Sequence, residues 1–281
     1  MENNANFYQS YMADNYDRMS NTYDESMDYK WKNNNDPRYK FEAMVLEACK
    51  SKRTDFTALD VGTGTGRISI MIAEKNPNSS VKGLDQSTQM IEVAKEKSRN
   101  LSLNNISFDS FSVETNLPYG DQTFDVVTCS LAMIYFTQKD KFINESYRIL
   151  CDGGSCLIST IGPNDMNSVL DPFWNLYYKF NPSFTNTFNP RLSTDDLEKL
   201  FKDAGYPSVE VTSFQEDVVF GTLDDYMVLF NTYGLSGLLF FLPKSASIQL
   251  MYEYKDILKE MCNADGKLVV LREVMIVKGQ K

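Results

Sequence analysis

The stretch Leu59-Asp60-Val61-Gly62-Thr63-Gly64-Thr65-Gly66-Arg67 decides the fold. The residues from Ala58 to Val61 read as a buried strand, the three alternating glycines end it, and a helix is expected from Arg67 to Glu74. Glycine has no Cβ, so the chain turns sharply there and its amide groups lie open to close approach by a ligand. A tight turn can exist without a ligand, but three glycines gathered at one strand end point to nucleotide or nucleoside binding.

Outward from this turn the chain alternates between strand and helix. A helix is expected from Arg38 to Lys50 before it. After it come strands at Val81–Leu84, Ile106–Phe111, Phe124–Cys129 and Ser155–Thr160, with helices at Thr88–Arg99 and Asp140–Leu150. Such alternation implies a parallel sheet with right-handed crossovers. Beyond Pro163 the pattern loosens into an aromatic, Pro- and Asn-rich stretch ending at Pro190. Ser193, with Asp196 three residues on, starts a helix carrying Leu197, Leu200, Phe201 and Ala204 on one stripe. A strand at Val209–Ser213, amphipathic segments at Leu223–Phe230 and Leu250–Met261, and a last strand within Lys267–Val277 complete the reading.

The second strand ends in Gly83-Leu84-Asp85, and Asp85 lies about twenty residues past the glycines, where an acid can accept hydrogen bonds from both ribose hydroxyls. A NAD-dependent oxidoreductase uses the same device, and Gly64-x-Gly66-x-x-Ser69 approximates the dinucleotide fingerprint. The glycines alone leave both readings open.

Composition removes several classes. The 281 residues carry a net charge of −10, which disfavours attraction to phosphate backbones and anionic lipid. The longest near-apolar run, Leu235 to Leu242, is too short to span a bilayer, and the first thirty residues lack an apolar signal core. A cytoplasmic protein, monomer or homodimer, without nucleic-acid or membrane partners is therefore expected. The five cysteines form no CxxC pair and the chain has no histidine, so no metal site is expected and Ser-His-Asp or Cys-His chemistry is excluded.

Asp60-Val-Gly-Thr-Gly-Thr-Gly66, Gly83-Leu-Asp-Gln-Ser-x-x-Met90, Leu117-Pro118-Tyr119, Thr123-Phe124-Asp125-Val126-Val127 and Arg148-Ile-Leu-Cys-Asp-Gly153-Gly154 follow one another in fixed order. Together they resemble the core of class I S-adenosylmethionine-dependent methyltransferases, in particular the UbiE-like small-molecule branch, over about residues 57 to 160. The resemblance implies a Rossmann-like α/β fold: a mainly parallel seven-stranded sheet with helices on both faces and a helical lid insertion. It also implies methyl transfer to an O, N or C atom of a small-molecule acceptor, with S-adenosylhomocysteine as product. A catalytically silent cofactor-binding protein is the remaining alternative.

By the same resemblance Asp60, Gly62, Thr63, Gly64 and Gly66 hold the methionyl end of the cofactor, Asp85 the ribose, and Gln86 and Met90 the adenine. Met90 fits equally well as one apolar position of a core helix. Ser112 or Glu114 is expected to receive the adenine amino group, and Ser130 to border the site. Tyr16-Asp17-Arg18-x-Ser20-x-x-Tyr23-Asp24 resembles an N-terminal element folded over the cofactor, which brings in Tyr23. Arg38, Met133, Tyr135 and Arg191 are the candidates for acceptor contacts. The expected organisation is an N-terminal helical extension over 1–55, then one methyltransferase domain over 56–281 with acceptor-side insertions at about 163–192 and 218–262. Where exocyclic-amine nucleic-acid methyltransferases carry Asn/Asp-Pro-Pro-aromatic, this chain reads Ser130-Leu-Ala-Met-Ile, in line with its acidic charge.

Overall fold

The computed structural model describes residues 14–24, 37–112, 115–184, 191–232 and 235–281. Within them lie seven strands: β1 (Thr57–Val61), β2 (Ser80–Asp85), β3 (Ile106–Ser110), β4 (Phe124–Ser130), β5 (Leu150–Ile161), β6 (Ser208–Phe220) and β7 (Leu268–Gln280). The helices are α1 (Pro37–Lys50), α2 (Arg67–Lys75), α3 (Thr88–Asn100), α4 (Lys139–Ile149), α5 (Asn167–Phe180), α6 (Thr194–Asp203), α7 (Leu223–Thr232) and α8 (Lys244–Met261). One sheet has the order β3-β2-β1-β4-β5-β7-β6. The pairs β3/β2, β2/β1, β1/β4 and β4/β5 are parallel and β5/β7 is antiparallel. Successive strands leave β1 on opposite sides, so the carboxyl ends of β1 and β4 flank the switch point where ligands bind in open α/β sheets.

The two-residue period of the strands sorts their apolar side chains onto the two faces. Ala58, Val126, Leu157 and Ile276 join one core with Phe41 and Val45 of α1 and Ile68 and Ile72 of α2. Their neighbours Leu59, Val127, Ile158 and Val277 join the other, with Phe142 and Ile143 of α4 and Leu197 and Phe201 of α6. Each of these side chains is buried, and burying one stabilises the fold by about 1.5–3 kcal/mol.

Two of the quoted motifs are fastened locally. Arg148 Nε donates to Glu145 Oε1 at 2.7 Å, while its terminal nitrogens donate to Tyr119 O and Leu117 O at 2.8 and 3.2 Å. The Leu117-Pro118-Tyr119 turn is thereby pinned to α4. Asp125 Oδ2 accepts from the Thr57 amide at 2.8 Å and so caps the start of β1.

The chain divides into two compact units. The larger comprises Tyr16–Pro163, Asn189–Phe214 and Val274–Lys281; the smaller comprises Met1–Asn15, Asn164–Phe188 and Gln215–Glu273. The smaller holds its own core, in which Phe173 and Tyr177 of α5, Tyr226 and Phe230 of α7 and Leu250, Tyr254 and Leu258 of α8 are buried. Tyr226 and Tyr254 share a hydroxyl–hydroxyl bond of 2.7 Å, and Tyr254 also donates to Val169 O at 2.8 Å. Burial pushes the Tyr226 phenol up to about 12.

Several elements outrun the sequence expectation. Helix α5 runs unbroken through the stretch read as irregular, although Pro172 stands inside it, where the ring removes one amide donor and crowds the carbonyl four residues back. Strand β6 runs to Phe220 instead of Ser213. Its polar Gln215, Glu216 and Asp217 hid a strand whose residues are mostly exposed or half-buried, as suits the edge of the sheet. Helix α8 starts at Lys244, six residues early, and β5 starts at Leu150. There a register shift between Phe124 and Val126 accompanies Gly153, at φ +76°.

Candidate active site

Gly62, Gly64 and Gly66 all adopt the left-handed backbone, with φ of +69°, +54° and +86°. Their surroundings differ. A Cβ on Gly62 would lie 2.3 Å from Ala132 Cβ, and one on Gly66 would lie 2.9 Å from Ile70 Cδ1 and 3.1 Å from Ala94 Cβ. A Cβ on Gly64 would meet nothing within 4 Å. Two of the glycines therefore make room for the protein itself, and the third borders open space.

Asp60, at 1% exposure, sits beneath this turn. Its Oδ2 accepts from Thr63 Oγ1 and its Oδ1 from Thr128 Oγ1, each at 2.7 Å. Thr63 Oγ1 and Ser69 Oγ are also 2.7 Å apart, which ties the turn to the first residues of α2. Burial raises the Asp60 carboxyl to about 6, against the hydroxyl bonds and a backbone bond at Ser69 that favour its charge. Asp85, at the end of β2, accepts from the Ser87 amide on Oδ1 (2.9 Å) and from the Gly64 amide on Oδ2 (2.8 Å). Burial raises its pKa as well, and Asp17 nearby adds to the rise.

Within residues 16–24, Asp24 reaches this turn. Thr65 Oγ1 donates to Asp24 Oδ1 at 2.7 Å, and Lys97 Nζ of α3 pairs with Asp24 Oδ2. Tyr16 donates to the Tyr135 hydroxyl at 2.6 Å, their rings edge to face, and Tyr23 also packs edge to face on Tyr16.

One cavity is walled by the glycine turn (Gly62, Thr63, Gly64, Thr65), Asp60, Arg67 and Ile68 below, Tyr23, Asp24 and Arg38 beside it, and Ser130 and Leu131 from the end of β4. Tyr23, Arg38, Asp60, Gly62, Thr63, Gly64 and Ser130 thus come together as lining residues. Asp85 reaches the turn through its bond to the Gly64 amide, and Gly66 packs beneath it. Gln86 is half-buried, and its carbonyl accepts from Ser110 Oγ. Met90 is buried, with its amide donating to the helix-capping Ser87 Oγ at 3.1 Å. Ser112 is exposed on the loop after β3, and Glu114 lies outside the described residues. Met133 is fully buried in the core beside Phe136 and Phe142. Arg191 is not among the lining residues, and its Nη1 donates to Pro163 O at 3.3 Å.

Arg38, expected from the sequence to contact the acceptor, lines the same cavity as the glycine turn. Five further lining residues escaped the sequence reading as site residues: Asp24, Thr65, Arg67, Ile68 and Leu131. Four of them stand inside stretches already quoted, and Ile68 is the second residue of the helix expected from Arg67; they were passed over because their types recur in ordinary helices and surfaces. Leu131 shows itself only through its backbone, at φ +54°.

A glycine turn at the switch point of a parallel sheet, with a buried acid below it and a second acid on the next strand, defines a nucleoside-binding α/β enzyme. Over residues 52–205, more than half of its length, the chain matches the family described as a methyltransferase domain, and it belongs to that family. It is a class I S-adenosylmethionine-dependent methyltransferase of UbiE-like kind. It is 28% identical over 217 residues to a demethylmenaquinone methyltransferase of Lactobacillus johnsonii, covering 72% of this chain and 84% of that one. It is 33% identical over 148 residues to the ubiquinone/menaquinone biosynthesis C-methyltransferase UbiE of Brucella anthropi, covering 52% of each. In fold it resembles the YcgJ protein of Bacillus subtilis, with a TM-score of 0.60 at 19% identity over 87% of this chain and 98% of that one. Among the described residues no helix is long and apolar enough to cross a membrane.

Proposed function

We propose that the chain methylates a small, partly apolar acceptor, with Asp60, Gly62, Thr63, Gly64, Tyr23 and Arg38 holding the methionyl end of the cofactor and Asp85, Gln86 and Met90 its nucleoside. Asp60 carries this reading. An acid buried to 1% exposure and bonded to hydroxyls suits a ligand that brings its own positive charge, as the methionyl ammonium does. The open space at Gly64 supports it, since a Cβ there would obstruct only something that is not protein. Arg38 shares the cavity with Asp60 and Gly64, which favours the cofactor carboxylate over the acceptor as its partner.

The cofactor supplies an electrophilic methyl carbon on sulfur. The protein contributes alignment of the attacking atom with that carbon and exclusion of water, which together can account for most of the acceleration. Ser130 and Leu131, at the end of β4, and the tyrosines Tyr16, Tyr23 and Tyr135 border the side from which an acceptor would come. In a chain without histidine, a proton released by a phenol or ammonium acceptor passes to a carboxylate, a tyrosine or water. The five thiols, all unpaired, fit a reducing compartment, and we place the protein in the cytoplasm.

Titration calorimetry tests the cofactor half: S-adenosylhomocysteine binds in the micromolar range or tighter and NAD gives no heat. Heat from NAD with none from S-adenosylhomocysteine overturns the proposal. Demethylmenaquinone, the compound in the Lactobacillus johnsonii relative's name, is the first acceptor to offer in single-turnover methyl transfer.

A further inference from the structure

We propose that Asp24 and Lys97 form an ionic fastening that positions Tyr23 at the cofactor turn, so that both act as positioning residues for cofactor binding. The inference rests on the cofactor assignment above. Asp24 spends its two carboxylate oxygens on two different elements: Oδ1 accepts from Thr65 Oγ1 in the glycine turn, and Oδ2 pairs with Lys97 Nζ on α3. Lys97 closes the triangle by also donating to Thr65 O at 3.3 Å. The residue before Asp24 is Tyr23, which lines the cavity with it.

A second carboxylate fixes the other end of the same element. Ser87 Oγ and the Gln89 amide, at the start of α3, both donate to Asp17 Oδ1. Tyr16, beside it, is bonded to Tyr135 and packs edge to face on Tyr23. Residues 16–24 are thus fastened at both ends to α3, and the far fastening includes the glycine turn. A residue needed only to stabilise a surface helix would have no reason to reach the turn. The Asp24–Lys97 pair is partly exposed, at 43% and 34% of side-chain area. Its strength therefore falls with ionic strength, and so does its hold on Tyr23.

The test is a double-mutant cycle with Asp24→Asn, Lys97→Met and the double variant, read by calorimetry with S-adenosylhomocysteine and by kinetics once an acceptor is in hand. Each single variant weakens S-adenosylhomocysteine binding about three- to tenfold, as loss of a partly exposed ion pair and its hydrogen bonds predicts. The double variant is no weaker than the worse single, and Lys97→Arg restores wild-type affinity. The wild-type dissociation constant rises with salt, and that of the double variant rises less. The cofactor KM rises in the single variants with kcat nearly unchanged. Additive effects, or loss of thermal stability with unchanged affinity and salt dependence, overturn the fastening while the cofactor assignment stands. Failure of the wild-type protein to bind S-adenosylhomocysteine overturns the cofactor assignment instead.

Discussion

Each unit of the chain buries an aspartate, and the two are satisfied in opposite ways. In the smaller unit Asp165 and Arg272, exposed to 3% and 2% by side chain, are joined at 2.7 Å. The Asp165 carboxylate also accepts from the Glu273 amide at 2.8 Å, and Glu273 in turn accepts from the Asn164 amide and the Gln215 side chain. In the larger unit Asp60 is just as deeply buried, but its bonded partners in the described structure are hydroxyls and a backbone group, and its carboxyl titrates near 6. A buried acid with its counter-ion in the same fold belongs to the architecture. A buried acid whose charge is met only by dipoles is poised for a cation from outside, and Asp60 lines the same cavity as Gly64, the glycine of the turn that borders open space.

The contrast breaks most visibly at Arg272. Replacing it with Met strands Asp165 in the core and lowers unfolding free energy by about 3–5 kcal/mol, measured by urea denaturation. Arg272→Met combined with Asp165→Leu recovers most of that loss, since neither charge is left buried alone. A single variant within 1 kcal/mol of wild type, on the order of an exposed pair, would remove the architectural role.

Asp60→Asn is expected to act on binding and not on the fold. Loss of a charged hydrogen-bonding partner weakens S-adenosylhomocysteine by ~1.5–3 kcal/mol, roughly ten- to a hundredfold. The folded pKa lies above the ordinary 3.8, so the stabilisation from this group is present below about pH 4 and is lost as pH rises through about 6. The ionised form thus costs the empty protein about 3 kcal/mol at neutral pH, and Asp60→Asn without ligand is at least as stable as wild type at pH 8. A bound cation favours the charged form, so wild-type affinity is flat at neutral pH and declines on acidification through about 6. That decline vanishes in Asp60→Asn. A variant that unfolds at pH 8, or a wild type with pH-independent affinity, would return Asp60 to the architectural class.

The glycines give the finest test. Gly62→Ala meets Ala132 and a positive φ together and costs ~1–3 kcal/mol of stability. Gly64→Ala meets only the positive φ, costs about 1 kcal/mol, and loses cofactor affinity out of proportion. Thermal unfolding beside calorimetry separates the two, and equal losses in both assays for both variants would erase the distinction.

The larger unit was legible because its signals are local. A strand that empties into glycines, an acid one strand on, and helices with regular apolar spacing fix backbone conformation and burial within a few residues of themselves. The smaller unit was harder to read. Pro172 masked a helix, and the polar edge of β6 masked half a strand, because each is held by partners distant in sequence. The site divides along the same line. The glycines and Asp85 were named from their own neighbourhoods, and Asp60 from the family resemblance. Arg38 was named as an acceptor contact, and only the folded chain shows that it shares a cavity with Asp60 and the glycines.

By itself the sequence determined the parallel α/β core, the family and the chemistry of the cofactor turn, all of which follow from short-range backbone and spacing rules. Only the tertiary structure decided which glycine faces open space, which buried acid has a counter-ion, and that Asp24 meets Lys97 across more than seventy residues. These are properties of distance and solvent access, which exist only once the chain has closed on itself.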